Sequence, residues 1–275
     1  MTPTGRLTMA MAMLFSALAA PAAAQYSAPS MSTAGSVGED YHIQAAAGLW
    51  APTLTGVVSS EQLGIVGTKI DFVKDLKFQD TKFSDFRFEI KAGKRNKLYA
   101  QYVPITYSSD TTLTRDIVFN GQKFSANLPI QSQFNWKVWR VGYELDIVST
   151  DRFFLGALAE ARITDFSVTL KAPGDTEFTS ASGPLPAYGG IARAYLLPNM
   201  SVTASVSGFK LWDSLAQKLD ATGNYVDMDF YATYNINRYL GVQGGYRKMT
   251  LTVTLKKDFG DMEYAGVWFG GVIRY

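Results

Sequence analysis

From Val226 to Ile236 the chain alternates without a break. Val226, Met228, Phe230, Ala232, Tyr234 and Ile236 are apolar or aromatic, while Asp227, Asp229, Tyr231, Thr233 and Asn235 between them are mostly polar and twice acidic. Successive side chains of a β-strand point to opposite faces, so this period of two predicts a strand with one greasy face and one wet face. After a short turn at Asn237-Arg238 the alternation resumes with Leu240, Val242, Gly244 and Tyr246. The pair reads as an antiparallel hairpin. Alternation alone leaves open whether the apolar face looks into a soluble barrel or out of a membrane barrel.

About ten such segments follow one another: 41–56, 82–92, 97–109, 132–148, 153–170, 186–197, 200–212, 224–236, 239–255 and 262–275. Short links at 93–96, 149–152, 198–199 and 237–238 alternate with mostly longer ones. The latter are 57–81, 110–131 and 171–185, an intermediate 213–223, and a short 256–261. Outer-membrane barrels have this asymmetry, with short periplasmic turns and longer external loops. Inside the second long link, Asn120-Gly121 is the dipeptide a tight type I′ turn favours. It predicts that the third and fourth strands extend into a protruding external hairpin; the alternative is an extra pair of wall strands, making about twelve.

The final strand, "AGVWFGGVIRY", chooses between the two barrels. Ala265, Val267, Phe269, Gly271, Ile273 and Tyr275 share one face, and the strand stops on the aromatic Tyr275. It resembles the last strand of Gram-negative outer-membrane β-barrel proteins, in the small-barrel class that includes the OmpA transmembrane domain and OmpW. The resemblance covers roughly 41–275 as architecture, and only this strand carries a motif. It implies an assembly signal at Tyr275, Ile273 and Phe269 read by the barrel-assembly machinery, and contact with outer-membrane lipid and lipopolysaccharide. A terminal Phe is commoner, so Tyr275 departs from the pattern.

The polar faces agree with an apolar outside. They carry six basic residues (Arg87, Lys91, Arg140, Arg162, Arg193, Arg247) and six acidic ones (Glu89, Glu144, Asp146, Glu160, Asp227, Asp229). A packed lumen needs such balance, because an unpaired buried charge is costly and a paired one is tolerated. Trp136, Trp139, Tyr143, Phe153, Tyr195, Tyr234 and Tyr239 lie near strand ends, where interfacial girdles are expected. The expected fold is therefore all-β, an antiparallel transmembrane β-barrel of about ten strands with long external loops.

Composition narrows the function. The 275 residues are 47% hydrophobic and 18% charged with a net charge of +2, which suits one barrel-sized domain and gives no basic footprint for nucleic acid. Cysteine is absent, which removes disulfides, thiolate metal sites and lipoprotein acylation. Arg6, the apolar run after it and "PAAAQ" give the order of a secretory signal peptide over 1–24. A Ser-, Ala- and Gly-rich flexible lead-in is expected over 25–40, then the barrel over 41–275, in the bacterial outer membrane.

Candidate chemistry is sparse. Barrel enzymes acting on lipid A, phospholipids or peptides resemble one another in needing a His beside Ser, Asp or Glu toward the outer half. Here the one His, His42, opens the first strand at the periplasmic end. Asp227-x-Asp229 could be a metal pair, with arginine partners as the other reading, and Asp258, Asp261 and Glu263 could bind cations or form a solvated turn. "GPLPAYGG" at 183–190 lacks the strand-to-helix context and Lys of a phosphate loop, and reads as a loop entering a strand. No catalytic residue, metal or cofactor is expected. The reading is a non-enzymatic barrel with a charge-paired lumen, in a structural or surface-interaction role or as a narrow passage. A lipid A- or peptide-directed barrel enzyme and a soluble periplasmic barrel binding an apolar ligand remain as alternatives.

Overall fold

The computed structural model describes residues 36–61, 65–211, 220–255 and 258–275. The leader read at 1–24 lies outside the described residues. In chain order the strands are β1 (Ile43–Ser59), β2 (Ile70–Asp71), β3 (Phe83–Lys91), β4 (Asn96–Thr112), β5 (Ile117–Phe119), β6 (Gln122–Phe124) and β7 (Pro129–Ser149). They continue as β8 (Phe153–Ala172), β9 (Asp175–Leu197), β10 (Met200–Lys210), β11 (Ala221–Asn235), β12 (Leu240–Leu255) and β13 (Asp258–Arg274). Ten of them form the wall in the order β1-β3-β4-β7-β8-β9-β10-β11-β12-β13. The last pairs antiparallel with the first, from Gln44 opposite Arg274 to Ser59 opposite Phe259, so the wall closes without an edge.

The alternation changes phase partway up the long wall strand β7. In β7, Trp139, Val141, Tyr143, Leu145 and Ile147 face out while Arg140, Glu144 and Asp146 face in. Toward the loop end the same strand turns Gln131, Gln133 and Lys137 outward and buries Ile130, Phe134, Trp136 and Val138. The switch falls at one level around the barrel. Outward-facing Tyr102, Trp139 and Ile163 sit side by side, and Pro104, Lys137 and Asp165 follow one step up. Across the seam Tyr246, Val267 and Ala51 align, with Lys248, Ala265 and Thr53 above them.

Physical chemistry explains the inversion. The outward apolar runs, Trp139 to Ile147 in β7 and Val267 in β13 to the terminal Tyr275, match the ~9–11 residues with which a tilted strand crosses hydrocarbon. Above that level the outer face meets water, so it becomes polar. The inside can then be filled as a soluble core is filled. Trp50, Phe72, Tyr107, Phe134, Trp136 and Tyr264 pack there as one cluster with edge-on and tilted rings.

Five expectations change. The 171–185 stretch is no loop: β8 and β9 run on as a hairpin that turns at Gly174, whose φ of +91° suits glycine. Residues 183–190 are accordingly strand throughout. The Asn120-Gly121 turn forms as read, with φ of +53° and +81° as type I′ requires. However, β5 and β6 are a separate ribbon rather than a protruding tip, because Ile117, Phe119 and Phe124 are buried over the mouth in the apolar cluster. Trp136 and Tyr195 point inward, since they share the parity of Arg140 and Arg193, so only Trp139, Tyr143, Phe153, Tyr234 and Tyr239 face out. Finally, the end of the lead-in is built into the barrel, where Val37–Glu39 makes one 3-10 turn under the short-turn end.

Residues 70–78 complete the cap. Ile70, Phe72, Leu76 and Phe78 are buried in the cluster, and Arg115 clamps Asp75 with Nε–Oδ1 at 2.8 Å. The hydrogen bonds from Arg115 hold the Asp75 carboxyl below its ordinary range, and those bonds raise the Arg115 guanidinium.

Candidate functional site

The twelve charged residues expected on the polar face belong to the lumen between the apolar cluster and the short-turn end. Alternation puts them there: each strand presents every second residue inward, and neighbouring strands bring them to one height. They form two layers with a gap between.

The upper layer centres on Asp227. Arg247 grips it through Nε–Oδ1 at 3.0 Å and Nη2–Oδ2 at 2.8 Å, the fork geometry that suits a carboxylate. Arg162 Nη1 reaches Asp227 Oδ2 at 3.0 Å, and its Nη2 meets Glu160 Oε2 at 2.8 Å and Ser207 Oγ at 2.7 Å. Arg140 also binds Glu160, with Nε–Oε1 at 2.8 Å. Arg87 bridges Asp85 and Asp229 at 3.0 Å each, and Trp268 Nε1 donates to Asp229 at 2.8 Å. Four guanidinium groups thus face four carboxylates. Arg162 and Arg247 are among the largest fully buried side chains in the protein.

The lower layer is built around Lys97, whose Nζ lies 2.6 Å from Glu144 and 3.1 Å from Asp146. Glu39 pairs with Arg193 at 2.7 Å and Lys91 at 3.1 Å, and Tyr41 donates to Glu89. Arg274 donates to Asn235 and Gln44, each at 2.6 Å. Between the layers lies a chamber of ≈ 80 Å³, walled by Arg87, Arg140, Glu89, Glu144 and Arg193 among others.

Asp227 and Asp229 are therefore both engaged by arginines, the second of the two readings of that pair. Asp258, Asp261 and Glu263 are not brought together. They meet Ser60, Thr252 and Lys248 respectively, and Glu263 and Asp261 point outward. His42 is exposed at the short-turn end, where its N–H donates to the Tyr275 carbonyl. Tyr275, Ile273 and Phe269 face outward, and the Tyr275 backbone also bonds Ile43, so it fastens the β1–β13 seam. Asn120 at the ribbon turn donates to Glu177 at 2.8 Å.

Sequence reading missed Asp85, Lys97, Arg274 and Glu39. The first three carried a signal: Asp85 shares the parity of Arg87, Lys97 that of Gln101, and Arg274 lies opposite in parity to Tyr275. Glu39 precedes any strand, and no periodicity marks it.

Fold and interior together define an antiparallel transmembrane β-barrel of ten strands, of the kind found in bacterial outer membranes. Comparison with solved structures gives the same class. The outer membrane protease OmpT from Escherichia coli is similar at a TM-score of 0.53 and 9% identity, over 86% of this chain and 97% of that one. Ail, the attachment invasion locus protein of Yersinia pestis, matches at 0.36 and 10% identity over 84% of this chain and 98% of its own. The translocator domain of the autotransporter NalP from Neisseria meningitidis gives 0.38 and 9% over 86% and 91%. At these identities the likeness is one of fold, and the OmpT match carries it. No family model and no curated protein matches the sequence.

Proposed function

We propose that this chain is a non-enzymatic outer-membrane barrel whose filled interior makes it a scaffold for its loop-end surface, in a structural or surface-interaction role. One observation carries the reading: the lumen is occupied by two layers of ion pairs and then by an aromatic core beneath a cap. A passage for solutes would need a continuous polar path, and the Trp50, Trp136 and Tyr264 cluster stands across it. The likeness to an outer membrane protease raises a peptidase reading. Against a His-dependent one stands His42, which sits at the opposite end from the cap.

The short turns would face the periplasm and the cap the outside. Purified protein added to planar bilayers should give no stable conductance, while cell fractions should hold it in the outer membrane. Large, stable single-channel currents would replace the scaffold with a pore.

A further inference from the structure

The segment before β1 sits where a stopper would. Its backbone is fixed at one point by the Val37 N–H donating to the Pro198 carbonyl at 2.9 Å. Gly38 then passes so close to the wall that a Cβ there would stand 2.6 Å from Tyr195 Oη and 2.7 Å from Asn235 Nδ2. Beyond it Glu39 reaches Arg193 and Lys91, and Lys91 Nζ also donates to the Glu39 carbonyl at 2.6 Å. Tyr41 reaches Glu89, with Lys91 over its ring at 5.0 Å.

Two of these partners, Arg193 and Glu89, are the floor of the ≈ 80 Å³ chamber. The chamber is lined by charged side chains alternating with apolar ones such as Leu158 and Ile191, and has room for two or three waters at about 30 Å³ each. Above it the guanidinium–carboxylate layer and the aromatic core bar the way. Below it the strap plugs the middle of the lower layer, between the wall-borne Lys97–Glu144–Asp146 and Arg274–Asn235 groups, and among the described residues of that floor the strap is the part held without a β-ladder.

We propose that residues 36–41 are a seated stopper whose release opens the chamber to small solutes from the short-turn end alone. The strap can leave without breaking the barrel, because its bonds are side-chain ion pairs and single backbone contacts rather than a strand register. The inference rests on the closed upper barrel of the scaffold reading, and its test separates the two.

The sequence has no cysteine, so one introduced thiol is the only one. Ser205 lines the chamber and Met249 lies in the aromatic core. In the full chain refolded in detergent, Ser205→Cys should react slowly with a small cationic methanethiosulfonate reagent. Adding Glu39→Ala should speed it on the order of a hundredfold, the scale expected when a buried charge loses its partner. Gly38→Leu, which keeps every ion-pair partner but denies the strap its seat, should do the same and serves if Glu39→Ala fails to assemble. Met249→Cys should stay unreactive in each background, with the heat-dependent gel shift of a closed barrel retained. Equal Ser205→Cys rates with and without the strap changes overturn the stopper. Reaction of Met249→Cys in the unmodified background instead overturns the closed upper barrel.

Discussion

Arg140 shows how much a single residue in this lumen is worth. Its guanidinium binds Glu160 and Gln101, stacks 5.2 Å from the Tyr99 ring, and borders the chamber. Removing one member of a buried pair strands the other, at a cost of ~3–5 kcal/mol when fully dry. The site borders the chamber instead of being packed on all sides, so Arg140→Ala should cost about 3 kcal/mol, the low end of that range. Lys94→Ala in an exposed short turn should cost less than about 0.5 kcal/mol. Urea unfolding of refolded protein, followed by the gel shift, compares the two. Equal midpoints would mean that the network adds nothing.

The cap has a residue-scale test of its own. Asp75 is depressed in the folded state, so its pairing with Arg115 stabilises fully above the unfolded carboxyl value and is lost as pH falls through the folded one. Arg115→Met should therefore loosen the cap at pH 7, by roughly 1 kcal/mol for a pair this exposed. The gap to the unmodified protein should begin to narrow below about pH 4 and close once the pH is under the lowered folded value. Hydrogen exchange of residues 70–78 at the two pH values measures it, and a gap that persists in acid would assign the clamp to packing.

At the scale of elements, parity decided what could be read. The ten wall strands follow from alternation, and the lower lumen follows from the inward parity of Arg140, Glu144 and Asp146. Position along a strand misleads where parity does not: Trp136 and Tyr195 lie near strand ends, as girdle residues do, yet share the inward face. The phase inversion was also written in the chain, in Gln131, Gln133 and Lys137 on the face that later carries Trp139 and Val141. A reading that asks only where charge lies passes over it. The cap and the strap have no period, because their residues are placed by what they cover. For the β5–β6 ribbon, Asn120 and Gly121 both require positive φ, so Gly121→Val should cost roughly 1–2 kcal/mol locally. Protease cutting within 113–128 of whole-barrel protein should rise accordingly. An epitope inserted at 120–121 should be reachable from outside intact cells and one at 93–96 should not; reversed access would invert the topology.

The whole molecule is two materials joined at one level: a membrane barrel with a charged inside, and above it a soluble barrel with an apolar inside. That division explains why strands such as β7 and β9 are about twice the length a bilayer needs. It also explains how a ten-strand wall stays filled, since water outside permits grease inside only above the membrane. The most direct test places a polarity-sensitive fluorophore on single cysteines along outward-facing positions of β7, from Gln131 to Ile147, in protein reconstituted into lipid vesicles. The account predicts quenching by lipid-borne quenchers at 139, 141, 143, 145 and 147, and by aqueous ones at 131, 133 and 137, with one crossover between Lys137 and Trp139. Aqueous quenching at every position, or lipid quenching that continues to Gln131, would contradict it.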